Sequence, residues 1–487
     1  MVAPDLTRDV LFRLYGVAVG FFSLKTYVSS YTAQPDLITS AGAWSLHAFT
    51  LIALFIIWRG ARPLLLLMAS VCATRCLIAT HRVEEPLLWF PAAEWPLFVA
   101  LPALALIGIL IDHLKSSGVS PEVQASGGAP TAESTAESVT DSSSTLLSFR
   151  LSFLGAMTWA GLHKLNSDFF DPKVTCARLS ERLTEWWGLP EWVYAHASPA
   201  AIVCAELGVG VILLWRPRWG AIGAVVLLGH FGSIGATALA TIVIAMALSF
   251  LTPRDVQAAL SFPRRKPAIS SVICAGGIAL SWWCYQGSWS WLQYGLFHGL
   301  ISLILVGLVS LFFAQPPTQR NAVQPLGLLA LITTYQRFAA VVILGWTLNG
   351  LTPYLGLKFQ YSFAMLSNLR VDDDRWNSYL FSRELRWQNH DDFIHIHEVM
   401  YRAASTRRLL RGGPLRPGLY SPSSLRAYLK SAHDAREYIL ARLSYHGEEH
   451  DFTGQSPQRF IMWLNSIPDT SLIQKRLNLK RPQGCVH

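Results

Sequence analysis

The residues best placed to do chemistry are His163 and Lys164, which end an apolar run that begins near Leu146. An ammonium group in the hydrocarbon core of a membrane costs about 3 kcal/mol on insertion scales, so such a residue is a functional candidate by default. A lysine at a helix end can also extend its charge to the lipid headgroups and anchor the helix. The position of Lys164 leaves both interpretations open.

Two carboxylates, Asp168 and Asp171, follow Lys164 within seven residues. They could form ion pairs with the lysine. They could equally cap the chain where it turns at Asp171-Pro172, because aspartate before proline favours a turn.

The elements that must position these residues are membrane helices. Of the 487 residues 52% are hydrophobic and 15% charged, and several apolar runs approach the roughly 20 residues that cross a bilayer. The formal net charge of +9 is spread singly rather than in a stripe, which favours basic loops facing anionic membrane lipids and argues against nucleic acid as a partner. The seven cysteines lie far apart, which predicts buried free thiols and no metal site.

The predicted fold is therefore an all-α polytopic membrane bundle of about 9–11 membrane segments, followed by a smaller soluble domain. That C-terminal domain reads as mainly helical, with an α+β arrangement left open. The predicted divisions are N-terminal membrane helices at 1–114, a flexible Ser/Ala/Gly-rich linker at 115–145, a core membrane bundle at 146–356 and the soluble domain at 357–487.

Basic residues predict the orientation in the membrane. Residues 220–251 are too long for one crossing and carry basic flanks on both sides, at 216–218 and 254–266. Two short helices broken around 230–237 keep both flanks cytoplasmic, whereas the alternative is one long tilted helix. The first interpretation places the loop after Lys164 and the C-terminal domain on the extracytoplasmic side of the cytoplasmic membrane.

In the C-terminal region the residue patterns predict helices at 383–404 and 423–443. The run from His446 to His450 has the H-x-x-E-H spacing of zinc peptidases, but Gly447 inside it favours a solvated loop. A second cluster of His, Asp and Glu residues, within Trp387 to Glu398 and interpreted as a helix, favours salt bridging over metal binding. No metal is predicted.

Two motifs resemble a known family. Residues 160–165 read Ala-Gly-Leu-His-Lys-Leu, with Asp168 three positions on, and His230 opens a Gly-rich membrane segment that leaves through Leu-Thr-Pro-Arg254. Both are similar to the HTTM (horizontally transferred transmembrane) family, which includes the vitamin K-dependent gamma-carboxylases. The family's Ala-Gly-x-Lys-Lys-Leu-Asp-x-Asp run carries the proposed catalytic base at the position of Lys164.

The resemblance implies a function and its site residues. Lys164 would act as the base on a reduced lipid quinone of the vitamin K or menaquinol type. His163 would favour the neutral amine, and His230 would donate a hydrogen bond to a quinone oxygen. The implied reaction is carboxylation of a peptide or protein substrate, or a related transformation. The family's Asn-Asn-His signature has no counterpart at 91–97, which contains no histidine. The alternative is a non-catalytic quinone- or lipid-binding protein, or one that supports membrane assembly.

Overall fold

The structure of the chain is a computed structural model, which describes part of the sequence. The continuous runs are 143–177, 198–232, 237–284, 290–314, 326–355, 375–385, 393–402, 438–453 and 457–467, with shorter pieces within 10–21, 51–54, 103–111, 367–372 and 409–426. Most of the N-terminal membrane helices predicted at 1–114 and nearly all of the predicted linker at 115–145 lie outside the described residues.

The described helices follow the predicted apolar runs closely. In chain order they are α1 Ser143–His163, α2 Ser167–Phe170, α3 Ser198–Trp215, α4 Pro217–Phe231, α5 Thr237–Leu248, α6 Pro253–Arg265, α7 Pro267–Cys284, α8 Ser290–Ala314, α9 Leu326–Thr334, α10 Gln336–Leu351 and, near the C-terminus, α11 Pro457–Ser466.

Two of these helices are long and apolar enough to cross a membrane, namely α3 and the Trp291–Phe313 part of α8. Shorter apolar helices lie at Pro217–Gly229, Thr237–Leu248 and Pro267–Trp283. Large apolar side chains are exposed on the outside of these helices, including Val211 at 64% and Val272 at 70%. Exposed aliphatic side chains on apolar helices fit a membrane environment, because lipid tails are as apolar as the side chains themselves.

The long apolar segment at 220–251 divides into two helices, α4 and α5, as the basic flanks predicted. The two helices pack against one another. Gly232, directly after α4, lies against the Phe297 ring, where an added Cβ would stand 2.0 Å from the ring Cζ atom. Only glycine fits that contact, because a side-chain carbon that close to the ring would force the end of α4 away from α8, to which Phe297 belongs.

Small residues also bring α7 and α8 together. A Cβ added to Gly277 of α7 would lie 2.7 Å from the backbone nitrogen of Gly299 on α8. Close backbone approach at glycines is the usual way that membrane helices pack. Beside this contact, Ser281 Oγ is hydrogen-bonded to His298 Nδ1 at 3.0 Å.

The chain forms two compact units. The first unit comprises residues 1–81, 94–158 and 204–347, and the second comprises 82–93, 159–203 and 348–487. The domain divisions predicted from composition remain predictions.

The second unit contains a two-stranded ribbon, formed by β1 Val371–Asp372 and β2 Arg375–Trp376. It also contains a small antiparallel sheet of five strands: β3 Ile394–Arg402, β4 Leu409–Arg411, β5 Gly418–Tyr420, β6 Tyr438–Tyr445 and β7 Glu448–Asp451. The strand order in this sheet is β4-β3-β6-β7, and β5 also pairs with β3. Ile394 and Ile396 of β3, Leu443 of β6 and Phe460 and Leu464 of α11 share its core.

The helices predicted at 383–404 and 423–443 are therefore wrong at 394–402 and 438–443, which are strands, whereas 383–385 form a short 3-10 helix and 425–426 are helical. From Ile394 to His397 apolar and polar residues alternate, and the isoleucines are buried while the histidines are half-buried. That period of two is typical of a strand with one face in the core. Of the two arrangements left open for the C-terminal domain, the described residues fit α+β rather than mainly helical. The apolar segments of the first unit are helical, as predicted.

The histidine-containing run at 446–450 is the turn of a β-hairpin. His446 and Gly447 have φ angles of 50° and 77°, and β6 pairs with β7 on either side of them. Two successive residues in the left-handed region suit the twist of a two-residue hairpin. The zinc-peptidase pattern needs a helix here, so the expectation of a solvated loop is the better of the two.

Candidate functional site

The site begins where α1 ends. The amides of Lys164 and Leu165 donate to the carbonyl oxygens of Gly161 and Leu162, three residues back, at 3.1 and 3.0 Å. These tighter bonds close the last turn of the helix, as is common at helix ends. The chain then leaves the helix at Asn166, which lies in the extended region and caps α2.

Asn166 is completely buried and holds this exit in place. Its side-chain nitrogen donates to the carbonyl oxygens of His163, at 2.8 Å, and Ser367, at 2.6 Å. Its side-chain oxygen accepts from the Phe169 amide at 2.9 Å and from Asn377 Nδ2 at 3.2 Å. One amide thus joins the end of α1 to two segments that lie about 200 residues further along the chain.

Backbone pairing strengthens the same junction. Asn166 forms an isolated antiparallel bridge with Ser378, and the amide of Tyr379 donates to the Leu165 carbonyl oxygen at 3.1 Å. The amide of Ser167 donates to the Asn377 carbonyl oxygen at 3.0 Å. The residues after Lys164 are therefore paired as in a sheet, and this pairing fixes the direction of the backbone after the helix ends.

Lys164 is buried, with 2% of its surface exposed. Its Nζ atom donates to the Ala160 carbonyl oxygen at 3.3 Å and lies 6.0 Å from the centre of the Phe169 ring. An ammonium near an aromatic face is attracted by the electrons of the ring. The interpretation in which Lys164 reaches out to the headgroups does not fit this position, because the side chain is enclosed by protein.

The two nearby aspartates make local contacts. Asp171 Oδ1 accepts from the Lys173 amide at 2.9 Å, and the Asp171 carbonyl oxygen accepts from the amides of Val174 and Thr175. Asp168 Oδ1 accepts from Ser167 Oγ at 3.2 Å. For Asp171, the turn that was one of two predicted roles is the one observed.

His163 is also fully buried, and its partner is Tyr354, just beyond the end of α10. His163 Nδ1 and the Tyr354 hydroxyl lie 2.9 Å apart and are hydrogen-bonded. Burial raises the pKa of Tyr354 above its usual value, although a hydrogen bond with Ser378 acts in the opposite direction. The phenol consequently stays neutral at physiological pH and fixes the orientation of the imidazole ring.

Aromatic rings surround this pair. The Trp159 ring lies 5.5 Å from the His163 ring, and the Phe381 ring lies 4.2 Å from the Tyr354 ring, centre to centre. Gly350 permits the packing, since a Cβ there would stand 2.0 Å from Trp159. His163 thus lies in a buried aromatic cluster, one residue away from Lys164.

His230, the third predicted site residue, belongs to α4 by its backbone, and its side chain lies outside the described residues. The implied action of Lys164 and His230 on one quinone therefore remains a prediction. The structure brings Lys164 and His163 together with Tyr354 and Asn166 instead. Tyr354 was not singled out from sequence, because no spacing rule links residues that are 191 positions apart.

Arg150 is a second charge within an apolar run, and the sequence analysis did not single it out. It lies in the first half of α1, where its Nε atom donates to the Ser249 carbonyl oxygen at 3.0 Å and its guanidinium lies 5.6 Å from the centre of the Phe250 ring. An arginine inside an apolar helix is a signal that a sequence can reveal. Its contacts here tie α1 to the turn after α5, which is a structural role.

Cys176 is disulfide-bonded. The prediction of buried free thiols is therefore wrong for this residue. Cys204 and Cys274 are free, as predicted, but Cys204 is exposed and Cys274 is half-buried, so neither is fully buried.

Metal-binding groups of three or more His, Cys, Asp or Glu side chains are absent from the described residues. His395 and His397 share one face of β3, with ring centres 4.2 Å apart, and His397 Nε2 is hydrogen-bonded to Ser444 Oγ at 3.0 Å. The helix assumed for this cluster placed the two histidines on different faces, which the strand corrects.

Comparison of the chain with known protein families, with characterised proteins and with solved structures finds no match. The resemblance to the HTTM family therefore rests on its two sequence motifs alone.

Proposed function

We propose that the chain is a polytopic membrane protein of the HTTM type in which Lys164 is the base that deprotonates a lipid quinol. The observation that carries this proposal is the burial of Lys164 within a network that fixes the end of α1. Burying an ammonium is expensive, and a protein that retains such a group commonly uses it. The proposed chemistry is that of the gamma-carboxylases, either peptide carboxylation or a related quinol-driven reaction.

The proposed location is the cytoplasmic membrane, with the loop after Lys164 outside the cytoplasm. The disulfide at Cys176 supports this side, since disulfides persist in oxidising compartments. The exposed cations at residues 264–266 support the opposite assignment for the start of α7, because positively charged loops stay inside. The C-terminal sheet would then lie outside the cytoplasm.

The residues near Lys164 fit a quinol by their chemistry: an amine beside the Phe169 ring can take a phenolic proton, and an aromatic face can stack on a head group. A bound quinol would supply an acidic hydroxyl and the electrons for reaction with oxygen. Lys164 would accept the proton at Nζ, which requires the neutral amine.

His163 would act through its fixed position beside Lys164. The hydrogen bond to Tyr354 holds the imidazole at Nδ1, and the Asn166 bond to the His163 carbonyl oxygen holds its backbone. Tyr354 is thus a positioning residue in the proposed reaction.

The proposal is tested with purified protein, a reduced menaquinone and oxygen, by following quinol oxidation and epoxide formation. We expect Lys164→Met to lower the rate at least about 100-fold, the usual contribution of a positioned base. Lys173→Met is the matched control, because Lys173 is an exposed lysine nine residues away. Its rate should equal that of the wild type.

Equal product from wild type and Lys164→Met would overturn the proposed base. Unchanged quinone binding in that case would support the non-catalytic alternative. Incorporation of labelled carbon dioxide into a glutamate-containing peptide separates carboxylation from a related reaction of the same quinol.

A further inference from the structure

We infer that one end of the first unit, the basic end, is a binding site for anionic phospholipid headgroups. The basic end is defined by Arg216, between α3 and α4, and by Arg264, Arg265 and Lys266, at the junction of α6 and α7. All four side chains are exposed. The inference rests on the proposed membrane location of the helices but not on the chemistry of Lys164.

Two aromatic contacts mark the boundaries of the apolar zone. At one end the Trp219 ring lies 4.5 Å from the Phe312 ring, and at the other the Trp282 ring lies 5.0 Å from the Trp291 ring. Trp291 and Phe312 both belong to α8 and are 21 residues apart, which is about 31 Å along a helix. That spacing matches the hydrocarbon thickness of a bilayer, and aromatic rings collect at its two interfaces.

The surface between the two contacts is apolar and exposed. The side chains that face outward there include Ile212, Val226, Ile269, Val272 and Val309, with 39% to 70% of their surface exposed. Because lipid tails can cover such side chains at no cost, the apolar zone selects a lipid partner over a water-soluble polyanion.

Around α7 and α8, the exposed cations lie at one of the two boundaries. The Trp219–Phe312 contact lies where α4 begins and α8 ends, and α7, which packs antiparallel beside α8, begins at that same end directly after Lys266. At the other boundary, residues 285–290 contain no charged residue. The basic end therefore combines an interfacial aromatic pair with a group of cations, which is the combination that anionic headgroups attract.

The helix that carries Arg264 and Arg265, α6, has one apolar and one polar face. In α6, Val256 is 5% exposed whereas Gln257 and Arg264 are exposed, so one face is apolar and the other polar. Asp255 holds its first turn by a capping box with Thr252 and by an ion pair of 2.7 Å with Arg218 of α4. The last turn, with Arg264 and Arg265, forms no ion pair with a described carboxylate and faces outward.

Three features thus meet at the basic end: an amphipathic helix that is fixed at its first turn, exposed cations at its last turn and exposed aliphatic side chains one turn further along α7. Since α6 packs against α8, what α6 offers a headgroup is its exposed cations, and the apolar surface beside them comes from α7. The site takes the phosphate of phosphatidylglycerol or cardiolipin, with the acyl chains along the apolar face of α7.

The test measures the distribution of fluorescent phosphatidylglycerol and of fluorescent phosphatidylcholine onto the full-length protein in neutral detergent micelles. The variant Arg264→Gln/Arg265→Gln/Lys266→Gln should lose at least about tenfold in phosphatidylglycerol affinity, with phosphatidylcholine unaffected. The preference of the wild type should also weaken as the salt concentration rises.

The matched control is Arg383→Gln/Arg442→Gln/Arg459→Gln, which removes three exposed arginines from the second unit and has the same net charge. We expect it to bind phosphatidylglycerol as the wild type does. Equal losses in the two triple variants would overturn a localised site, because net charge alone would then explain the affinity. Equal uptake of both lipids by the wild type would also overturn it, as would charge-dependent binding of duplex DNA without a lipid preference.

Alkaline extraction of membranes tests the proposed membrane location separately from the lipid site. Release of the chain into the soluble fraction would overturn both the membrane location and the lipid site. Retention in the membrane without a phosphatidylglycerol preference would overturn the lipid site alone. Quinol oxidation plays no part in either measurement, so a failure of the Lys164 chemistry leaves this result unaffected.

Discussion

The chain places cations at the ends of apolar helices in two different settings. Lys164 lies just after the end of α1 and is 2% exposed, whereas Arg264, Arg265 and Lys266 lie where α6 ends and α7 begins and are exposed. By position in the sequence both are cations beside an apolar run. The difference in burial separates a candidate for chemistry from a candidate for contact with lipid headgroups.

The cause of the difference lies in the chain segment on the C-terminal side of each cation. After Lys164 the chain turns at Asn166 and is covered by the segment that contains Asn377 and Ser378. After Arg265 only Lys266 separates α6 from α7, and the Lys266 amide donates to the Phe262 carbonyl oxygen. A buried cation thus needs a polar network beyond its helix, whereas an exposed one needs nothing further.

The largest expected effect comes from removing that network. Asn166→Ala deletes two donated and two accepted hydrogen bonds in a completely buried position. Since each unsatisfied buried partner costs about 1–3 kcal/mol, we expect the free energy of unfolding to fall by about 3 kcal/mol. Denaturant unfolding in detergent, followed by tryptophan fluorescence, measures it.

Ser167→Ala is the control for this variant, since Ser167 is the exposed neighbour and its hydroxyl bonds only locally to Asp168. Its effect should stay within about 0.5 kcal/mol. An equally small effect of Asn166→Ala would mean that other contacts keep Lys164 buried. The Asn166 network would then not explain the difference in burial between Lys164 and the basic end.

A smaller effect, of opposite sign, is expected at Lys164 itself. Lys164→Met keeps the length of the side chain and removes a buried polar group from an apolar site, so it should raise the free energy of unfolding by about 1 kcal/mol while lowering activity at least about 100-fold. Lys266→Met at the basic end should leave stability within about 0.5 kcal/mol. Chemical denaturation of both variants gives the comparison directly. A destabilised Lys164→Met protein would identify the lysine as structural.

Much of the helical part can be predicted from sequence because its signal is local. The apolar runs that predict α1, α3, α7 and α8 are each longer than 15 residues, and the break between α4 and α5 is indicated by basic flanks on both sides. The strand β3 was misread although Ile394 to His397 alternate, since the charged residues nearby also fit a helix face.

The site could be predicted only in part, for a physical reason. Lys164 and His163 stand out because a cation beside an apolar run is costly wherever the chain folds. Tyr354, Ser367 and Asn377 become part of the site through contacts across about 190 to 210 residues. No local periodicity or spacing encodes such contacts, so they are visible only once the chain is folded.

The smallest effect concerns an exposed charge that is nevertheless held. Asp451, at the end of β7, accepts hydrogen bonds from the Thr453 hydroxyl and from the Thr453 amide, the latter at 2.8 Å, and these bonds lower its pKa. A carboxylate with a lowered pKa in the folded state contributes stability above its unfolded-state pKa, near 3.9 for aspartate. That contribution is lost as the pH falls through the folded-state pKa.

Thr453→Val removes the hydroxyl bond and keeps the amide bond, so the pKa of Asp451 should rise part of the way to its ordinary value. Thr453→Ser keeps both bonds and should leave the pKa unchanged. Carboxyl chemical shifts of aspartate-labelled protein across the acidic range measure both variants. An unchanged pKa in Thr453→Val would assign the shift to the backbone amide and to the nearby Arg442. A rise would show that one hydroxyl stabilises an exposed carboxylate without burial, in contrast to Lys164, which is enclosed by protein.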